Sequence, residues 1–233
     1  MSSQLADCHY EEVFIHLALL FSALCHHFNV SAAAYDSESA PPVTFDMPVR
    51  RDAHMPSHVL AVYQTNANPF HPLSMLPIDA SLYEQGFRVE LNLPPAPPGS
   101  TSPVPHQLEG TKTLAVTLPV VPLSVPHATS LPLLLLFGLR LETEPNLLAW
   151  RLLPANVIEE FPNASAMAQV LSRLRDDRFE QLFRYNQGIW KNILALGLRN
   201  KVLVEMVQTV WNVTAEARRI RQRMLLLRQQ ECS

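Results

Sequence analysis

The sequence predicts an α+β fold, with an N-terminal helix, a small mostly antiparallel sheet, and a C-terminal helical subdomain ending in a long amphipathic helix. Three patterns carry that prediction. Apolar residues between Val13 and Phe28 recur at helical spacing, several runs between residues 58 and 155 are rich in β-branched and alternating apolar residues, and from Asn163 the composition turns to helix formers. The corresponding divisions are an N-terminal helix over 1–35, a β-rich region over 36–155 with a Pro-rich loop at 94–107, and a helical subdomain over 156–233.

The first helix runs through HYEEVFIHLALLFSALCHHF. Asp7 is placed to cap it, and Glu11 and Glu12 sit near its positive end. Val13, Leu17, Leu20, Leu24 and Phe28 share one face, so that face is expected to be covered. Residues 36 to 57 are acidic and then Pro-rich, and read as a loop.

Strands are expected at HVLAVYQ from His58, GFRVELNL from Gly86 and KTLAVTLPVV from Lys112. In the second, Phe87, Val89, Leu91 and Leu93 alternate with Arg88, Glu90 and Asn92, the period of a half-buried strand. The prolines of PPAPPGSTSPVPHQLEG exclude it from a sheet interior, because each removes a backbone donor. PLLLLFGLRLETEPNLLAWRLLP reads as two strands joined by a turn at Thr143-Glu144-Pro145-Asn146, although LLLLFG is equally compatible with a buried helix turn.

Three helices close the chain. ASAMAQVLSRLRDD forms the first, and Arg178 to Leu198 the second, interrupted near Gly188 and Gly197. Trp190, Ile193, Leu194 and Leu196 are expected in the buried middle of a helix hairpin, with Gly197 near a C-cap and Gly188 permitting close approach or a bend. The third begins near Asn200. Its residues Leu203, Met206, Val210, Val213, Ala217, Ile220, Met224 and Leu227 are spaced alternately by three and four, an a/d seam. Val204, Val207 and Trp211 widen the stripe in the first half, which therefore packs on the chain's own core. The second half is expected to extend outward and to bind a partner through Ala217, Ile220, Met224 and Leu227.

Composition narrows the functional classes. Across 233 residues, 48% are hydrophobic, as a folded chain requires. The net charge of −3 hides an asymmetry: residues 1–110 hold 3 Lys/Arg against 11 Asp/Glu, and residues 111–233 hold 15 against 10. An acidic partner would meet the C-terminal half. Cys8, Cys25 and Cys232 form no CxxC pair, so no zinc knuckle or disulfide framework is indicated. Acidic residues precede the apolar run Val13 to Leu24 where a signal peptide needs positive charge, and the first basic residue is Arg50. The expected location is nuclear or cytoplasmic, not secreted, which makes the sequons at Asn29, Asn163 and Asn212 chance matches.

No GxSxG, HExxH or GxGxxG motif occurs. Gly110-Thr-Lys112-Thr resembles the tail of a phosphate loop but lacks the Gly-Lys adjacency. His9, Glu12 and His16 share a helix face, and His54 and His58 flank Pro56 with Asp52 nearby, yet neither spacing forces the convergence that a metal ion needs. Glu159-Glu160 and Asp176-Asp177 are adjacent pairs whose side chains diverge on a helix, unsuited to two-carboxylate chemistry. Cys25 in apolar surroundings is expected to be inert. No catalytic, metal or cofactor site is expected. The cluster Arg218, Arg219, Arg221, Arg223 and Arg228 forms a basic patch with three readings: a solvated helix face, a nuclear import signal, or phosphate contacts. No aromatic follows Trp211 to stack on bases, which argues against nucleic acid as a direct ligand.

The segments SLPLLLLFGLRLET, LLAWRLLP, VIEEFPNASAMAQVLSRL, FRYNQGIWKNILALGLRNK and EMVQTVWNVTAEARRIRQR, between about Ser130 and Arg223, resemble a region of the clampless-type proteins of mushroom-forming fungi. NQGIWKNILALG is also similar to the helical ends of certain fungal BTB-like proteins. The resemblance covers under half of the chain and does not reach residues 1–110. It implies a non-enzymatic regulator of sexual development, required for clamp-cell formation downstream of mating-type homeodomain factors, nuclear, and acting by binding transcription factors or other regulators. It brings no catalytic residues with it. The alternative is a structural subunit of a multiprotein complex, and association with a second copy stays open.

Overall fold

The structure is a computed structural model that describes residues 19–33, 35, 41–65, 74–93, 103–108, 110 and 112–231. It is α+β, as expected. Asp7, Glu11, Glu12 and the first apolar positions of the N-terminal helix lie outside the described residues, as does most of the Pro-rich loop.

Helix α1 (19–27) buries Leu20, Leu24 and Cys25, with Phe28 just beyond its end. Asn29 ends it in the left-handed conformation, φ 55°, and the Val30 amide returns to the Cys25 carbonyl at 3.0 Å. Asparagine tolerates that conformation better than most residues, so the stop is local. The chain then enters the sheet through a bridge from Val30 to Val49.

The sheet comprises β1 (Thr44–Pro48), β2 (His58–Gln64), β3 (Ser74–Ile78), β4 (His106–Gln107) and β5 (Leu114–Val125), in the order β1-β5-β2-β3, with β4 also on β5. β5 changes partner along its length. Ala115 to Pro119 pair antiparallel with β1, and Val120 to Val125 pair parallel with β2. The β2–β3 and β4–β5 pairs are antiparallel, which leaves one parallel ladder in a mostly antiparallel sheet. Helix α2 (Ala80–Gly86) follows β3, capped by Asp79, whose carboxylate accepts from the Leu82 amide at 3.0 Å.

Three expectations are corrected here. GFRVELNL forms no strand. Its backbone instead runs onto the end of a helix: the Arg88 amide donates to the Leu196 and Gly197 carbonyls at 3.2 and 3.0 Å, and the Val89 amide donates to Leu196 at 3.2 Å. Helix-end carbonyls need donors, and an extended segment supplies them as well as a strand supplies a ladder. The apolar runs after Ser130 are two helices, α3 (Leu131–Gly138) and α4 (Pro145–Leu152). All eight residues of α3 are buried, so it has no polar face to give a helical period. The expected turn at Thr143 to Asn146 is the start of α4, with Pro145 in the first turn, where a missing amide costs nothing. Finally, β1 lies inside the stretch read as a loop; it is five residues long and ends in proline.

The helical subdomain consists of α5 (Ala155–Ile158), α6 (Ala164–Ser172), α7 (Asp176–Leu196) and α8 (Lys201–Glu231). Helices α4, α6 and α7 pack on α8, while α7 also meets α3 and β5, joining the bundle to the sheet. Gly197 caps α7 with φ 66°, and a side chain there would also meet Arg88. Gly188 permits a close approach: a Cβ would lie 2.3 Å from the His127 ring. The segment NQGIWKNILALG is thus scaffold, with Ile193 and Leu196 buried and Trp190 half-buried. Leu194, by contrast, is exposed, on the outer face of the helix.

Candidate functional site

Helix α8 begins at Asn200, whose side-chain oxygen accepts from the Val202 and Leu203 amides at 3.1 and 3.4 Å. An N-cap followed by a heptad pattern is enough to specify a helix. At 31 residues it spans about 46 Å, at about 1.5 Å per residue. Its first part belongs to the core. Leu203, Val207, Val210, Val213 and Ala217 are buried, and Val204, Met206, Trp211 and Ile220 pack partly against them. Thr214 is buried as well. Its hydroxyl donates to the Val210 carbonyl at 2.7 Å and accepts from Asn186 Nδ2 at 3.1 Å, and the same amide donates to the Leu152 carbonyl. This bond pair ties α4, α7 and α8 together.

Beyond Arg221 the helix leaves the body. Every residue from Gln222 to Gln230 is exposed. Met224, Leu225, Leu226 and Leu227 are 44, 57, 60 and 59% exposed, a run of large apolar side chains in water. Isolated surface leucines are ordinary, but four large apolar residues in succession on a projecting helix form an exposed apolar patch.

The expected partner-binding seam therefore divides. Ala217 is fully buried and is corrected to a core residue; Ile220 is half covered. Met224 and Leu227 are available. Leu225 and Leu226, outside the a/d seam, are equally bare, and the run MLLL itself was the signal for them.

The expected basic patch divides too. Arg221, 17% exposed, donates to the Ser172 and Leu174 carbonyls at 2.7 and 2.6 Å, pairs with Asp176, and lies 4.6 Å above the Phe179 ring. A cation is well placed on the carbonyls at the end of α6, so Arg221 is a structural clamp and not part of a solvated patch. Arg218 stacks 4.1 Å from the Phe183 ring centroid. Arg219 and Arg223 share the Glu216 carboxylate at 3.1 and 2.7 Å, and Arg228 is exposed.

Elsewhere the chemistry-bearing residues are used structurally. His127 Nδ1 lies 3.0 Å from Ser130 Oγ, which resembles a nucleophile and base, but Ser130 is fully buried and also accepts from Asn192 Nδ2 at 3.1 Å. Asn192 further accepts from the His127 amide and donates to its carbonyl, so the cluster latches the end of β5 to α7. Burial, reinforced by Lys191, lowers the His127 pKa below the usual imidazole value. His58 is lowered by burial, with Asp79 opposing; its Nδ1 lies 2.9 Å from Ser57 Oγ, which accepts from the Ala80 amide at the start of α2. His54 is 3.9 Å from Asp79. His9, Glu12 and His16 are outside the described residues, and among those described no group of three or more His, Cys, Asp and Glu could hold a metal ion. Burial pushes the Cys25 thiol up to about 12, which keeps it in its unreactive form. Gly110 and Lys112 lead into β5, whereas a phosphate loop leads into a helix N-terminus. Glu159 and Glu160 are exposed, and Asp176 and Asp177 pair with Arg221 and Arg175.

Among the described residues no helix is long and apolar enough to cross a membrane. Comparison with protein-family models, with curated proteins and with solved structures finds no match.

Proposed function

We propose that this chain is a non-enzymatic protein-interaction regulator that engages its partner through the projecting end of α8. The observation that carries the reading is the run Met224 to Leu227, exposed on a helix whose preceding turns are fixed in the core. Burying one such side chain on binding contributes about 1.5–3 kcal/mol, so a few of them are enough to anchor a complex. The resemblance of residues 130–223 to clampless-type proteins gives the reading its biological content: a regulator of fungal sexual development, acting in clamp-cell formation and the mating-type pathway, nuclear, with transcription regulators as partners.

A second reading rests on the same exposed leucines. In a structural subunit of a multiprotein complex they are covered permanently, and the isolated chain would aggregate in proportion to that exposed surface. The two separate in one experiment, in which tagged full-length chain and a Met224→Glu, Leu227→Glu variant are purified from the cells that express them. The regulator reading predicts a soluble isolated chain and loss of specific partners from the variant. Partners retained by both proteins would refute a binding role for α8. A wild-type chain that is insoluble alone, with a soluble variant, would favour the subunit.

A further inference from the structure

The turn between α3 and α4 holds two opposite charges that the fold does not pair. Arg140 adopts the left-handed conformation, φ 58°, and the Arg140, Leu141 and Glu142 amides return to the Phe137, Leu136 and Leu136 carbonyls at 3.2, 3.0 and 2.9 Å. The chain thus doubles back over the end of α3 and satisfies its last carbonyls. Leu141 packs on the core, while Arg140 and Glu142, on either side of it, line one half-open cavity of about 220 Å³. Its other walls include the buried Phe137 and Leu203, with Asn200 and Val202 at the start of α8.

Among the described residues, Arg140 and Glu142 form no ion pair with each other or with a third group. Glu142 uses a single oxygen, Oε1, to accept from the Thr143 and Glu144 amides at 3.0 and 3.3 Å, which leaves Oε2 to act as an acceptor. The Asn200 side-chain oxygen already takes the Val202 and Leu203 amides, so the polar character of the cavity rests on its side chains and not on the start of the helix. Size and chemistry together define the occupant. A cavity of about 150 Å³ takes a benzene-sized molecule and drug-sized ligands need about 300 Å³ or more, so this one suits a body between the two. A simple anion would satisfy Arg140 but be repelled by Glu142, and a simple cation the reverse. A ligand that carries both charges meets both residues, and the buried Phe137 and Leu203 call for an apolar body beside them.

We propose that this cavity binds a free aliphatic α-amino acid of about leucine size, with its carboxylate on Arg140, its ammonium on Glu142 and its side chain against Phe137 and Leu203. The Cα atoms of residues two apart are separated by at most about 7 Å, so the two charges stay within reach of the two ends of one α-amino acid group. Charge-assisted hydrogen bonds at both ends fix the orientation of the ligand. This site is separate from the end of α8, and either can fail without the other.

The test is an amide NMR titration of the full-length chain with L-leucine, L-isoleucine, L-valine and L-methionine, beside 4-methylpentanoate, which lacks the ammonium of leucine, and 3-methylbutylamine, which lacks its carboxylate. At least one of the amino acids should shift the resonances of residues 137–145 and 200–203 saturably, and leucine should bind about tenfold or more tightly than either analogue. Arg140→Gln should weaken leucine by about tenfold or more and leave 3-methylbutylamine unchanged. Glu142→Gln keeps the oxygen that accepts the Thr143 and Glu144 amides, and should bring leucine down to the level of 4-methylpentanoate. Thermal melts close to wild type verify that both variants fold. The proposal is overturned by the absence of a saturable shift from any of the four amino acids up to about 10 mM, by equal binding of leucine and either analogue, or by leucine binding that neither substitution changes.

Discussion

Arg221 should behave unlike its neighbours when it is replaced. In RRIRQR it looks like one cation among several, yet it donates to the Ser172 and Leu174 carbonyls and covers Phe179. A hydrogen bond from a charged group contributes about 1.5–3 kcal/mol, and the exposed ion pair to Asp176 adds at most about 1 kcal/mol. Water can reach part of the site once the side chain is cut back, which recovers some of the carbonyl solvation, so Arg221→Ala should cost about 2–4 kcal/mol. In a chain of this size that corresponds to a melting temperature lower by about 5–15 °C. Arg221→Lys should recover less than half of the loss, because an ammonium lacks the planar fork that reaches two carbonyls and a carboxylate together. Arg219→Ala and Arg228→Ala should stay within about 0.5 kcal/mol of wild type. Urea unfolding followed by circular dichroism measures all four variants. Equal, small effects at 219, 221 and 228 would refute the clamp and return Arg221 to a solvated basic face.

The other predictions follow the same division between core and projection. Ala217→Glu should unfold the chain or cost more than about 4 kcal/mol, since it buries an unpaired charge, whereas Leu226→Glu should leave stability unchanged; urea midpoints compare them directly. Gly188→Ala gains about 1 kcal/mol of helix propensity but drives a methyl into the His127 ring, an overpacking of about 1–3 kcal/mol, so a net loss is expected in thermal melts. His58 and His127 both lie below the ordinary imidazole value of 6.5, so the unfolded chain binds protons that the folded chain does not. Their contribution to stability is therefore complete above about pH 6.5 and is lost as the pH falls through the folded values. Ring-proton titrations by NMR should place both midpoints below 6.5, and midpoints above it would contradict the burial argument.

The sequence made the long-range architecture legible where a single periodicity dominated. Helix α8 was visible because alternating three- and four-residue spacing persists from Leu203 to Leu227. Helix α3 was ambiguous for a physical reason: a segment buried on every side has no polar face, and LPLLLLFG fits strand and helix alike. GFRVELNL shows the converse. Its alternation is only partly kept, with Phe87 buried and Leu91 and Leu93 half-buried but Val89 exposed, and its hydrogen-bond partner is the end of α7 and not a strand, which no local pattern encodes. At the candidate site, Met224 and Leu227 were legible from the heptad. The clamp at Arg221 depends on where α6 ends and α7 begins, contacts made across more than forty residues of chain.

The most direct test of a binding role for the end of α8 is amide hydrogen exchange across residues 222–231, in the purified chain alone and with its purified partner. The account predicts rapid exchange in the isolated chain, against slow exchange through Val207 to Ala217, and strong protection of 222–231 in the complex. Unchanged exchange at these residues in the complex, or protection already present in the isolated chain, would contradict it.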